Sequence, residues 1–479
     1  LKAERWLVVS LILVMSAAGA GATSYAGQSS QASQASQASQ AGRAAPSCAV
    51  ATEPPGPLTP TTVDTIEQAY YCVLDHYYSG PALDDRLLLT AAFVGFTREL
   101  QRRGIEQSDA TMPALTGNRE GDWAAFSTVY RRVTDRVPAD PDLKQGLADA
   151  AMNAMLAGLN DNHARWMRPV NPPDAKPGDA YGIGVGLSGT QGAQADPVAT
   201  APLFVTSVAA DSPAARQGVM AGDVIVSANG VPPFVNNVLS TGVLQWINQR
   251  YPQSQSVKLT LNRPATGRTW TVTLKPELFA GAPPAVTSKL AGDIAYVTLP
   301  VFFPGVADQV LQAITKWSAG KTLRGVVIDV RGNGGGSPDE VNKLLGAFVH
   351  GKITAYHCDL AGACVDSRTD DTVPLLKLPL VTLTDRGCGS ACEHFSAAVK
   401  DLRIGSLVGT RTAGLVSGPA NGYVLSDNSL LVVPSYHHLG ADHEMVDGIG
   451  VAPDHYVAQT AHDRSTGRDP VLAKALSLF

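Results

Sequence analysis

Two segments of this chain run from an apolar strand through a glycine-rich turn towards a helix. They are GVVIDVRGNGGGS over 325–337 and LPLVTLTDRGCGS over 378–390, the second continuing as ACEHFSAAVKDL. Strands with no polar face must be covered on both sides, so this part of the chain is a helix-covered sheet. Its neighbours fit: IAYVTLPVF reads as a strand, VADQVLQAITKW and PDEVNKLLGAFV as helices, and SLLVVPSY as a late strand. A Ser at the second junction, Ser390, is exposed at the sheet edge beside a helix N-terminus, whose free N–H groups favour an oxyanion. Gly334, Gly335 and Gly336 at the first junction allow close backbone approach, so N–H groups can point at a carbonyl. Each junction also has a plainer reading. Ser390 can simply cap its helix, and the glycines can form a tight turn or hold phosphate. No Gly-Lys-Ser/Thr follows them, which argues against a P-loop.

Composition narrows the class. The chain has 479 residues, 44% apolar and 16% charged, with a formal net charge of −5. That balance excludes a wholly disordered chain and gives no electrostatic footprint for nucleic acid. The length predicts about two to four domains. One apolar run is long enough to concern a membrane. LKAER, then WLVVSLILVMS, then small residues has the layout of a signal peptide over 1–26, with an uncleaved anchor as the alternative. Either way the body is expected outside the cytoplasm, with membrane contact only through that segment. A Gln-Ala-Ser repeat follows, and 27–60 reads as a disordered linker. In an oxidising compartment the six cysteines can form three disulfides. Of the fifteen possible pairings, proximity in sequence points to Cys48–Cys72, Cys358–Cys364 and Cys388–Cys392.

From 61 to 177 the pattern is helical. A helix is expected over 140–158, capped by Asp140 with Pro141 in its first position. From 178 to 278 short strands take over, with VKLTLNRP and TWTVTLKPE alternating as a hairpin. YGIGVGL (181–187) followed by SPAARQGVMAGDVIVSANG resembles a PDZ domain. The resemblance implies that Tyr181, Gly182, Ile183 and Gly184 bind a peptide's terminal carboxylate, the peptide adding as an extra strand. A β domain that packs in cis and binds nothing is the alternative. The remaining regions are a core over 284–460 and a tail over 461–479.

VIDVRGNGGG, then a strand, then Gly-Ser390-Ala-Cys-Glu393, then Val408-Gly-Thr-Arg-Thr412-Ala-Gly414 resembles the core of the C-terminal processing (tail-specific) serine proteases. The resemblance implies an α/β (α+β) fold: a crotonase-like protease core, an inserted PDZ-like β domain and an N-terminal helical region. It makes Ser390 the nucleophile, and builds the oxyanion hole from the N–H of Ala391 and of Gly335 or Gly336. The tail-specific branch activates Ser with a Lys that falls here on Leu415, which cannot accept a proton. Lys400 does not align with that position.

The tricorn-like branch of the superfamily uses a His instead. Its motif falls on Leu159-Asn-Asp-Asn-His163, and its late carboxylate falls on Asp447 in Asp447-Gly-Ile-Gly-Val-Ala-Pro-Asp454. A neutral imidazole suits a general base, so His163 is the candidate, oriented by Asp447. Asn162 occupies the position of a Ser in that branch, where an orienting role is weak. His437, His438 and His443 are rival bases, and His394 is expected to point elsewhere. No metal-ligand spacing appears, and no cofactor is required. The expectation is an exported serine endopeptidase acting on protein or peptide substrates with free C-termini, losing activity on acidification around pH ~6.5. The alternative is an inactive binding or scaffold protein on the same fold.

Overall fold

The structure, a computed structural model, describes residues 48–51, 55–191, 194–281 and 285–479. The signal-peptide reading over 1–26 lies outside the described residues. Among the described residues no helix is long and apolar enough to cross a membrane.

Both glycine-rich junctions belong to one six-stranded sheet. Its order is Thr287–Ala291, Ile294–Thr298, Gly325–Asp329, Leu380–Thr384, Gly405–Gly409 and His455–Tyr456. The first pair is antiparallel and the rest are parallel. Gly325–Asp329 and Leu380–Thr384 are buried along their whole length, as expected for central strands covered on both faces. One face packs against the helices Val306–Ser318, Pro338–Gly346 and Ala391–Asp401, through Val310, Ile314, Leu344 and Phe395. The other face presents Ile294, Val327, Val381, Leu383 and Val408 to Val471 and Ala475 of the helix Pro470–Leu476. The stretch 461–479 is therefore not a free tail: it supplies the cover for the second face.

The four helices Val63–His76, Asp85–Arg102, Arg119–Thr134 and Pro141–Ala157 share a core built on Ile66, Leu88, Phe96, Phe126 and Leu147. Asp140 caps the last of them by accepting from Asp142 N, and Pro141 occupies the first turn, as the sequence predicts. That core is completed by Tyr423, Leu425, Leu431 and Val433, which come from the other end of the chain. Their strands, Ala420–Val424 and Leu430–Pro434, pair with Ala49–Val50 and Arg165–Met167. Residues 49–50 were expected in the disordered linker. They are ordered because they complete this sheet edge, and Cys48 is bonded to Cys72 of the first helix. The other two disulfides also join the sequence-adjacent pairs, Cys358–Cys364 and Cys388–Cys392.

Between these parts lies a small β unit with its own core of Ile183, Leu203, Ile225, Leu259 and Val272. Val257–Arg263 and Arg268–Leu274 form the expected hairpin, in register from Val257 opposite Leu274 to Arg263 opposite Arg268. Val185–Leu187 pairs only with Val205–Val208 among the described residues, so its other edge is open.

Val471 is 2% exposed on the covered face of the sheet. Val471→Asp places an unpaired carboxylate there and is expected to cost about 3 kcal/mol. A urea titration checks this; an unchanged midpoint would mean that the segment contributes no cover.

Candidate active site

Ser390 sits where strand Leu380–Thr384 turns into helix Ala391–Asp401. Its backbone is at φ 54°, ψ −125°, a region that non-glycine residues avoid at a cost of order 1–3 kcal/mol. The conformation is held from several sides. Ser390 N donates to Leu415 O (2.6 Å), Gly389 N to Asn333 O (3.0 Å), and Ala413 N to Cys388 O (2.8 Å). Ser390 makes no side-chain capping bond, so the plainer reading of this serine as a helix cap does not apply.

The glycine turn closes directly on it. A Cβ on Gly335 (φ +106°) would lie 2.6 Å from Ser390 Cβ and 2.9 Å from Ala391 N, so only glycine permits the approach. The N–H of Ala391 has no acceptor among the described residues, which leaves it available. Of the two glycines considered for the second donor, Gly335 donates to Asn333 Oδ1 (2.8 Å) and is already committed. Gly336 N–H has no such partner among the described residues. Phe302 fixes that strand by donating to Gly335 O and accepting from Ser337 N (both 2.7 Å). Asn333 and Arg331 brace the turn. Asn333 Nδ2 donates to Leu299 O, and the Arg331 guanidinium is clamped between Asp329 and Asp469.

Residues 412–417 form a strap over Ser390. Beneath it lies Glu393, 0% exposed. Its carboxylate accepts from Thr412 Oγ1 (2.5 Å), Gly414 N (2.6 Å) and Leu415 N (2.6 Å). Burial pushes its pKa up to about 7, against the lowering effect of those three donors. Leu415, where the Lys of the tail-specific branch falls, contributes its backbone to Ser390 and Glu393 and no titratable group.

The segment carrying His163 is tied to the same strap. Asp161 accepts from Ser417 Oγ (2.9 Å) and Tyr77 OH (3.0 Å), and from the N–H groups of His163 (2.8 Å) and Ala164 (3.1 Å). Asn162 Nδ2 donates to Asp447 Oδ1 (2.8 Å) and to Gly414 O (3.3 Å), while Asn162 Oδ1 hydrogen-bonds His163 Nδ1. Asp447 was expected to orient His163; among the described residues no hydrogen bond joins the two directly. The carboxylate reaches the imidazole through Asn162, because the shorter Asp side chain is also held by Val416 N (3.0 Å). Among the described residues no hydrogen bond joins His163 to Ser390; the two meet through the strap. Burial holds the His163 imidazole below its usual range, Arg165 adds to this, and Asp161 and Asp447 oppose it.

Two of the rival histidines are engaged in ring stacking, whereas His438 Nε2 is buried without a hydrogen-bond partner among the described residues. His437 stacks on Tyr78 and His443 on Tyr356. His394 and His438 are buried beside His357, and burial depresses all three, His394 to about 3. Among the described residues no group of three or more His, Cys, Asp or Glu is placed to hold a metal ion.

The β unit touches the strap too. Gln191 Nε2 donates to Ala413 O (2.9 Å), and buried Asp196 pairs with Arg386, which also donates to Thr412 O. At its far side, Ile183 O accepts from Ala214 N and Gly184 O from Ala209 N. Tyr181 and Gly182 pair with Leu278 and Glu277. Glu393, Asn162 and Arg386 are the site residues that sequence reasoning undervalued. All three stood inside quoted motifs: Glu393 after Ser390, Asn162 before His163 and Arg386 in the second glycine-rich turn.

The family model for peptidase family S41 matches residues 293–457, and a PDZ domain model matches 204–242. The carboxy-terminal-processing protease of Bartonella bacilliformis is 26% identical over 363 residues, which are 74% of this chain and 79% of that protein. The chloroplastic C-terminal processing peptidase of Tetradesmus obliquus is 31% identical over 334 residues, 64% of this chain and 66% of that protein. Among solved structures, a photosystem II D1 C-terminal processing protease superposes with a TM-score of 0.51 at 23% identity, covering 83% of this chain and 94% of that one.

Glu393→Ala leaves two backbone N–H groups and a hydroxyl without their acceptor. We expect a loss of about 3 kcal/mol in urea unfolding, since each stranded buried donor costs about 1–3 kcal/mol. A loss below about 0.5 kcal/mol would mean that the strap is not held by this carboxylate.

Proposed function

From the chain's membership of peptidase family S41 with a PDZ domain, which makes it a serine-type peptidase acting on protein substrates, we propose that Ser390 is the nucleophile and His163 its base. Ser390 Oγ attacks the peptide carbonyl as His163 takes its proton, and the carbonyl electrons move onto oxygen. The oxyanion is received by the N–H of Ala391, the residue after Ser390, and of Gly336, the residue after the glycine that packs on Ser390; neither N–H has an acceptor among the described residues. His163 then returns the proton to the leaving amine, and a water hydrolyses the acyl-enzyme by the same route. Asn162 and Asp447 fix the ring, so that Asp447 stabilises the imidazolium through an intervening amide. The observation that carries this reading is the chain Asp447–Asn162–His163, anchored at Gly414 on the strap that also holds Ser390.

We further propose that the PDZ unit recruits substrates by their C-termini. The open edge of Val185–Leu187 supports β-addition, with the loop 181–184 receiving the carboxylate. The protein is proposed to work outside the cytoplasm, in keeping with its three disulfides.

Ser390→Ala should abolish cleavage of an unfolded protein and labelling by a serine-directed phosphonate, with the thermal midpoint retained. Wild-type cleavage of the same substrate with its C-terminus amidated should show a raised KM. Full cleavage by Ser390→Ala would remove the nucleophile, and an unchanged KM would remove the recruitment step.

The pH dependence has a definite sign. The base must be neutral, and its depressed pKa keeps it neutral further into acid. The acid limb of kcat/KM should therefore inflect below the free-imidazole value of 6.5. Asp447→Asn removes a charge that raises that pKa, so the limb should move lower still while kcat falls on the order of 100-fold. A wild-type acid limb that inflects at or above 6.5 would contradict this account of His163.

A further inference from the structure

The turn that presents Ser390 is closed by a covalent bond. Cys388 and Cys392 flank it symmetrically and are joined to each other, so residues 388–392 form a ring with Ser390 at its apex. Both cysteines are 0% exposed, and they belong to the same apolar cluster as Val330 and Phe395. The ring spans the change from strand to helix. Cys388 lies before it, with its N–H on Asp385 O and its carbonyl accepting from Ala413 N. Cys392 lies in the first turn of the helix, its N–H on Gly389 O and its sulfur against Val330 O. A ring this short restricts the unfolded chain little, so its effect is concentrated on the local backbone. That backbone carries the disfavoured positive φ of Ser390.

We propose that the Cys388–Cys392 disulfide is a positioning element of the catalytic site. It holds the Ser390 turn in its strained conformation, and so sets both the aim of Oγ and the place of the Ala391 N–H. The other disulfides have no such role: Cys358–Cys364 closes a hairpin, and Cys48–Cys72 ties the first strand to the first helix. A small displacement of a nucleophile is costly, roughly 100-fold for about 1 Å. The proposal rests on Ser390 being the nucleophile.

The test measures the rate constant for phosphonate labelling at Ser390, located by peptide mapping, in Cys388→Ala/Cys392→Ala. Cys358→Ala/Cys364→Ala serves as the control. We expect labelling and kcat to fall together by roughly 10- to 100-fold in the first, with KM changed less than about twofold and the control unaltered. A bond that merely supports folding would lower the fraction of molecules labelled and leave their rate constant unchanged; that result overturns the proposal. Should the variant not fold, the wild type decides. Dithiothreitol delivers two electrons and two protons to an S–S bond and leaves as its own cyclic disulfide. After partial reduction, the fast-labelling fraction should equal the fraction with 388–392 intact, whatever the state of the other two bonds. Fast labelling that persists once 388–392 is reduced contradicts the proposal. If Ser390→Ala labels like the wild type, the nucleophile assignment fails instead, so the two failures are distinguishable.

Discussion

A single buried carboxylate organises the catalytic end of this molecule. Glu393 lies one helical turn beyond Ser390 and accepts three hydrogen bonds from residues 412–415. Those residues would otherwise be a loop with stranded backbone donors, and burial of an unpaired polar group is unfavourable. Once they are fixed, Leu415 O can receive Ser390 N and Gly414 O can receive Asn162. The proposed nucleophile and base come from residues 227 positions apart (390 − 163), and the strap is their common reference. The β unit reaches the same strap directly at Ala413 and, through the Asp196–Arg386 pair, at Thr412, so the proposed peptide recruitment and the chemistry share one element.

The site uses few charges, and each is buffered by a neutral group. Asp447 acts on His163 through an amide, and Asp161 is spent on backbone N–H groups and two hydroxyls. The proposed oxyanion donors are backbone N–H groups at a helix start and a glycine turn, whose dipoles need no reorientation as charge develops. Leucine at 415 fits this economy. A Lys there would bring a proton acceptor next to Ser390, whereas here the proposed acceptor is an imidazole whose pKa burial lowers.

Much of this was legible in the residues. The alternation of strands and helices, with apolar runs such as GVVIDV, gave the helix-covered sheet. Asp140-Pro141 marked a helix start, and the missing Lys at 415 directed attention to His163. Other features were hidden because they depend on residues far apart in sequence. The ordered 49–50 strand is defined by Tyr423 and Val424, and the helix Pro470–Leu476 is defined by the sheet face that it covers. The bridging part of Asn162 also needed coordinates, since sequence alone does not show that Asp447 stops one amide short of the ring. Gly335 and Gly336 were equivalent as letters. They separate only because Asn333 Oδ1 takes one of the two N–H groups.

The central claim is that an imidazole supported by Asn162 and Asp447 serves Ser390. A crystal structure of the phosphonate adduct on Ser390 tests it directly. The account predicts a His163 ring nitrogen within about 2.6–3.2 Å of an adduct oxygen or of Ser390 Oγ, with Asn162 and Asp447 still bonded behind it. A His163 ring farther than about 5 Å away, or His438 in its place, would contradict the account.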